Sequence, residues 1–264
     1  MVETDPAVLR LARFAEQYRR RTFGELVSEF EVDRDTAASA DARTSLKLFF
    51  RVYGFNRAGG MRAGYQHRAV SALERTESGG EIDPDELWDN FRRECERTDT
   101  GVYERLNRGV VTDAARLANR EGNLFRWVGR ELGDHGRLTV PYDRLTSIRG
   151  VGPGIATFFL RDAVWLSGAA SDLRREDRHR LQPMTTWVTR TARLLWPDLG
   201  DADDETLAKR IVEACAENGV CPVAFNQGVW YFARETLDGD SERLEAELRR
   251  MRTGDRSRPP RNDD

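Results

Sequence analysis

Residues 147–159 read Ser-Ile-Arg-Gly-Val-Gly-Pro-Gly-Ile-Ala-Thr-Phe-Phe, with Gly150, Gly152 and Gly154 on alternate positions and Pro153 among them. Such a segment has to end one element and begin another within a few residues. Glycine adopts the positive φ that a helix C-terminus often requires. Proline suits the first turn of a helix, where its missing N–H is not needed. The apolar run that follows, Ile-Ala-Thr-Phe-Phe-Leu-Arg-Asp-Ala-Val-Trp-Leu, has the character of a buried helix. The pattern predicts two helices meeting at a tight hairpin.

The rest of the chain is built to match. Asp-Pro pairs at 5–6 and 83–84 place a capping carboxylate before a proline at the first helical position. Helices are expected over 5–30, 43–55, 62–77, 82–95, 102–119, 120–132 and 142–148. Others follow Pro153, Pro183 and Pro222 and cover 201–219. The stretch 133–141 is expected to be a loop with room for a very short strand, and 169–181 a polar loop. Alternating apolar and polar positions are nearly absent, so the fold class is all-α, with roughly ten helices.

Composition narrows the function. Of 264 residues 39% are hydrophobic, enough for a core under a heavily solvated surface. Runs long and apolar enough for a membrane helix are missing, so no membrane partner is expected. Acids precede the first basic residues at the N-terminus, unlike a secretory signal. Cys95, Cys215 and Cys221 are too few for a disulfide framework or a four-cysteine cluster. A cytoplasmic setting is expected. His67, His135 and His179 lack metal-ligand spacing, so neither a metal nor a cofactor is expected. Net charge is only −3, which places any polyanion affinity in local patches. Lys47 and Lys209 are the only lysines, so amine nucleophiles are scarce.

Helix ends expose N–H groups with no intrahelical partner, and a helix N-terminus is electropositive. At residues 150–156 these amides point outward from a hairpin whose glycines leave room for a ligand to approach. That is an anion site suited to one phosphate of a nucleic-acid backbone. Such a contact positions a duplex without reading its sequence.

Three segments, in order, carry a resemblance: Leu-Thr-Ser-Ile-Arg-Gly-Val-Gly-Pro-Gly-Ile-Ala at 145–156, Pro-Met-Thr-Thr-Trp-Val-Thr-Arg at 183–190, and Asn-Gly-Val-Cys-Pro-Val-Ala-Phe-Asn-Gln-Gly-Val-Trp at 218–230. Together they resemble the helix-hairpin-helix (HhH-GPD) DNA glycosylase superfamily, the base-excision repair enzymes. In the second segment Pro183, Thr186, Val188 and Arg190 match the family pattern. The resemblance implies a two-lobed helical fold, with 1–85 and 198–250 forming one lobe and 86–197 the lobe that carries the hairpin. A disordered tail is expected over 251–264. Double-stranded DNA is the implied partner, and the chain is expected to act as a monomer. The implied DNA-binding residues are Arg149, Gly150, Val151, Gly152, Gly154, Arg178 and Arg190.

The departures concern chemistry. Thr185 stands where the family carries its catalytic aspartate, and a neutral hydroxyl is a poor general base. Gly154 stands where lyase members carry a lysine, so lysine-dependent chemistry is not expected. Asp162, Asp172 and Asp177, with Glu176, are the carboxylates that could substitute. Trp187, beside Thr185, is placed at the mouth of a base pocket, where it could stack on an extruded base. The Arg- and His-rich stretch 174–180 is placed beside the hairpin as a phosphate contact. Tyr65, in the glycine- and arginine-rich stretch 55–68, is a candidate stacking residue beside the alternative of a plain interhelical connection. Three readings remain open: a DNA-binding, glycosylase-like protein that has lost catalysis, an active glycosylase using an unusual carboxylate, and an α-helical protein-interaction module.

Overall fold

A computed structural model describes residues 4–25, 41–57, 60–61, 64–77 and 79–253. Among these residues there are thirteen α-helices: α1 (Pro6–Arg13), α2 (Ala15–Arg19), α3 (Ala42–Leu48), α4 (Tyr65–Arg75), α5 (Pro84–Arg97), α6 (Glu104–Glu121), α7 (Leu124–His135), α8 (Thr139–Ser147), α9 (Pro153–Leu166), α10 (Thr186–Leu195), α11 (Asp204–Glu217), α12 (Pro222–Tyr231) and α13 (Ser241–Thr253). Among the described residues the one β ladder pairs Asn56–Arg57 with Gly60–Met61, two residues each, antiparallel. The all-α expectation holds.

Local sequence explains where the helices start. Asp5 accepts a hydrogen bond from the Ala7 N–H (2.9 Å) with Pro6 at the first position of α1. Asp83 does the same for the N–H groups of Asp85 and Glu86 ahead of α5. Asn123 caps α7, Asp203 caps α11, and Asp240 accepts from Glu242 and Arg243 ahead of α13. Each side chain satisfies donors that a helix start leaves unpaired.

The chain forms two compact units. One is Met1–Arg21 with Met184–Asp264; the other is Thr22–Pro183. These boundaries differ from those expected at 85/86 and 197/198. In the first unit Val8, Leu11, Val188, Leu195, Leu207, Ile211, Phe225, Phe232, Leu244 and Leu248 share one core. There α1 and α12 cross so closely that a Cβ on Gly228 would lie 1.9 Å from the Leu11 carbonyl oxygen. In the second unit the core is aromatic: Phe49, Tyr53, Phe125 and Phe159 meet edge-on or tilted, while Phe55 and Phe91 stack at 5.9 Å.

Four segments depart from expectation. Residues 133–141 are not a loop with a strand: α7 continues to His135, turns at Gly136 (φ 64°), and α8 begins at Thr139. The polar stretch 169–181 folds into two 3₁₀ segments, Ala169–Ser171 and Arg175–Leu181, because Leu173, Asp177 and Leu181 turn inward. The expected tail contains helix as far as Thr253, since Met251 packs with Leu244 and Leu248; residues 254–264 lie outside the described residues. The expected helix over 5–30 is traced as α1, α2 and a π-helical turn at Arg20–Glu25, and residues 26–30 of it lie outside the described residues.

Candidate nucleic-acid interface

The hairpin forms as its glycines and proline require. Helix α8 ends when the Ile148 N–H donates to the Leu145 carbonyl (3.1 Å), and the Val151 N–H closes the turn on the Ile148 carbonyl (2.9 Å). Gly150 sits between at φ 94°, a conformation L side chains rarely adopt. Leu145, Ile148, Val151 and Ile155 are buried and fix the turn to the core. Gly152 is the N-cap of α9 without a capping side chain, and Pro153 is its first residue.

What remains is a set of free donors. The N–H groups of Gly152, Gly154 and Ile155 have no acceptor among the described residues. A Cβ built on Gly152 or Gly154 meets nothing within 4 Å. Gly152 and Gly154 are exposed, so the approach to the electropositive end of this 14-residue helix is open at those two positions.

Beside the turn lies a basic groove that the sequence reading missed. The first turns of α6 pack against the hairpin, and Arg105, Arg108, Arg116 and Arg149 line the groove with Glu104 and Asp113. Its volume is about 520 Å³. Arg105 and Arg149 are exposed and have no acidic partner among the described residues. Arg116 is paired with Asp113 at 2.6 Å. The sequence signal was Glu104-Arg105-Leu106-Asn107-Arg108-Gly109, with two arginines one turn apart followed by a glycine inside a helix.

The stretch 174–180 packs on the helices that flank the turn: Arg175–Leu181 contacts α9, and its side chains reach α8. The Leu138 N–H donates to Asp177 (2.9 Å), Arg180 donates to Thr139 (3.2 Å), and the Arg180 guanidinium lies over Tyr142 at 5.1 Å. These contacts fall on the first half of α8, from Leu138 to Tyr142, rather than on the turn itself. Arg178 is half-buried and without an ion-pair partner among the described residues. Tyr65 is no stacking residue: it is buried between Phe55 and Phe91 and its hydroxyl donates to the Gly101 carbonyl.

The candidate catalytic residues are occupied in other ways. Thr185 is the N-cap of α10, and its hydroxyl accepts from the Val188 N–H at 3.3 Å. Asp162 is fully buried, ion-paired with the equally buried Arg161 at 2.8 Å and hydrogen-bonded by the Tyr53 hydroxyl at 3.3 Å. Asp177 is buried at the start of α8, and Asp172 lines an exposed groove with Arg126, Ser167 and Gly168. Glu176 lies 3.8 Å from Arg137. Trp187 packs against the first unit's core, with its ring 3.0 Å from where a Gly239 Cβ would sit. Thr185, Trp187 and Arg190 belong to the first unit and the hairpin to the second. Among the described residues no group of three or more His, Cys, Asp or Glu is arranged to hold a metal ion, and no helix is long and apolar enough to cross a membrane.

Compared with protein-family models, curated proteins and solved structures, the chain matches none.

Proposed function

We propose that this chain binds duplex DNA through the hairpin between α8 and α9, as a base-excision-glycosylase-like protein of the helix-hairpin-helix type that has lost catalysis. One observation carries the reading: three backbone N–H groups without acceptors stand at an open helix N-terminus, where Gly152 and Gly154 keep the approach clear. A phosphate supplies the missing acceptors and the matching charge. The unpaired Arg149 in the turn adds a guanidinium that can grip a phosphate with two N–H groups. The loss of catalysis is supported by Thr185, whose hydroxyl serves as a cap, and by Asp162 and Asp177, both held in internal hydrogen bonds.

The test is equilibrium binding of a labelled duplex across a salt series. Affinity is expected to fall steeply with salt, as phosphate contacts require. Gly152→Leu, which projects into empty space, is expected to weaken binding while the melting temperature holds. Undetectable binding at low salt overturns the reading. Duplexes carrying oxidised, deaminated or alkylated bases are expected to survive a large excess of the protein uncut. Excision of any of them would place the chain among active glycosylases.

A further inference from the structure

The groove beside the hairpin has an apolar rim. Among the described residues the exposed large hydrophobic side chains are Tyr103 (55%), Leu106 (39%) and Val140 (40%). The first two sit together, lining a groove with Glu104, Arg105 and Arg149. Tyr103 is the residue before α6, and Leu106 lies in its first turn.

The charges there are unequally satisfied. Glu104 faces Arg92 at 3.8 Å, and Arg108 faces Asp85 at 3.4 Å. Arg105 and Arg149 face one groove with no acid of their own among the described residues. Two like charges beside two exposed apolar groups gain from a ligand that is both anionic and flat-faced. A closed duplex offers phosphates, but its base faces are stacked inside, so Tyr103 and Leu106 gain little from it. An unpaired strand offers both, because every base has a π-face that an aromatic ring can stack on.

We propose that the rim formed by Tyr103, Leu106, Arg105 and Arg149 takes an unpaired strand continuing from the duplex held at the hairpin. The preferred ligand is then a DNA junction where a duplex opens into a single strand. This inference rests on the hairpin reading. It names the class of DNA that the site selects.

The experiment uses the full chain and three labelled ligands: a blunt duplex, the same duplex with a single-stranded extension, and the extension alone. The junction is expected to bind about tenfold more tightly than the blunt duplex, the worth of stacking one base on an aromatic ring. Tyr103→Ala is expected to abolish that preference and leave blunt-duplex affinity unchanged. Arg105→Gln is expected to lower the junction's salt slope by about 0.7–0.9. Both positions are exposed, and thermal melts check that the variants fold. Equal binding of junction and blunt duplex, or a preference that survives Tyr103→Ala, overturns this inference and leaves the hairpin reading standing. Failure of all three ligands to bind overturns both. Competition by polyglutamate as strong as by the junction would assign the rim to an acidic protein partner and also overturn it.

Discussion

The carbonyl oxygen of Arg149 occupies the space that a side chain on Gly109 would need: a Cβ there would lie 2.4 Å from that oxygen and 2.6 Å from the Arg149 Cβ. Helix α6 and the hairpin therefore touch backbone to side-chain root, and neither atom is a flexible tip that can swing away. Alanine normally favours a helix interior over glycine by about 1 kcal/mol. Here overpacking against rigid backbone wins, and Gly109→Ala is expected to destabilise the chain by about 1–2 kcal/mol. Gly154→Ala is the control, because nothing lies within 4 Å of its Cβ. It is expected to be neutral or to stabilise by up to about 1 kcal/mol. Urea unfolding of both variants checks the contrast, and equal losses would mean the contact at Gly109 yields.

Glu121 ties three helices to one carboxylate. It is nearly buried and pairs with Arg120 (3.0 Å), Arg130 (2.7 Å) and Arg144 (2.6 Å), on α6, α7 and α8. Arg144 also lies over the Trp127 ring at 5.8 Å. The guanidiniums are 40–59% exposed, so water screens much of each pair. Removing the shared acid still leaves three like charges around an amide. Glu121→Gln is expected to cost about 1–2 kcal/mol and Arg130→Ala under about 1 kcal/mol. Denaturant melts that rank Arg130→Ala as the more damaging would show that the acid is not the hub.

Much of this architecture was legible in the sequence because its signals are local. The Asp-Pro caps, the helix starts after Pro153 and Pro222, and the Gly150 turn each follow from a few adjacent residues. Helix α13 is not legible in the sequence because its core positions, Leu244, Leu248 and Met251, are set among nine polar or charged side chains and one alanine over thirteen residues. The unit boundaries were not readable, since Arg21 and Thr22 fall within one helical run without any change of composition. The basic groove joins Arg105 to Arg149 across more than forty positions, which no local pattern encodes. The basic character of 174–180 is plain in the sequence, but its placement depends on Asp177 turning inward to the Leu138 N–H.

Arg161 and Asp162 are adjacent in α9, 1% and 0% exposed, and the guanidinium also lies over the Phe158 ring at 4.8 Å. Two charges taken out of water hold each other in place, and loss of one strands the other. Asp162→Asn is expected to destabilise by about 3–5 kcal/mol. The double substitution Arg161→Met/Asp162→Leu is expected to cost less than the sum of the single losses. A double-mutant cycle read by urea unfolding measures the coupling. Additive losses would show that the pair is held by its other neighbours.

The three cysteines separate by environment. Burial pushes the Cys95 thiol up from 9.0 to about 11 against the opposing pull of Arg68, and Glu94 and Glu96 add to the rise. Burial pushes Cys215 higher still. Cys221 is exposed. At neutral pH a thiol reagent is therefore expected to label Cys221 in the folded chain and all three cysteines after unfolding, because the thiolate is the reactive form and needs access. Between about pH 9 and 11 the unfolded chain releases thiol protons that the folded chain keeps, so folding stability, full below that interval, is expected to fall as pH rises through it. Cys215→Ala is expected to flatten that decline. Urea midpoints that stay constant from pH 8 to about pH 11 in the wild-type chain, or labelling of Cys215 at the rate of Cys221, would mean that these thiols are reached by water in the folded state.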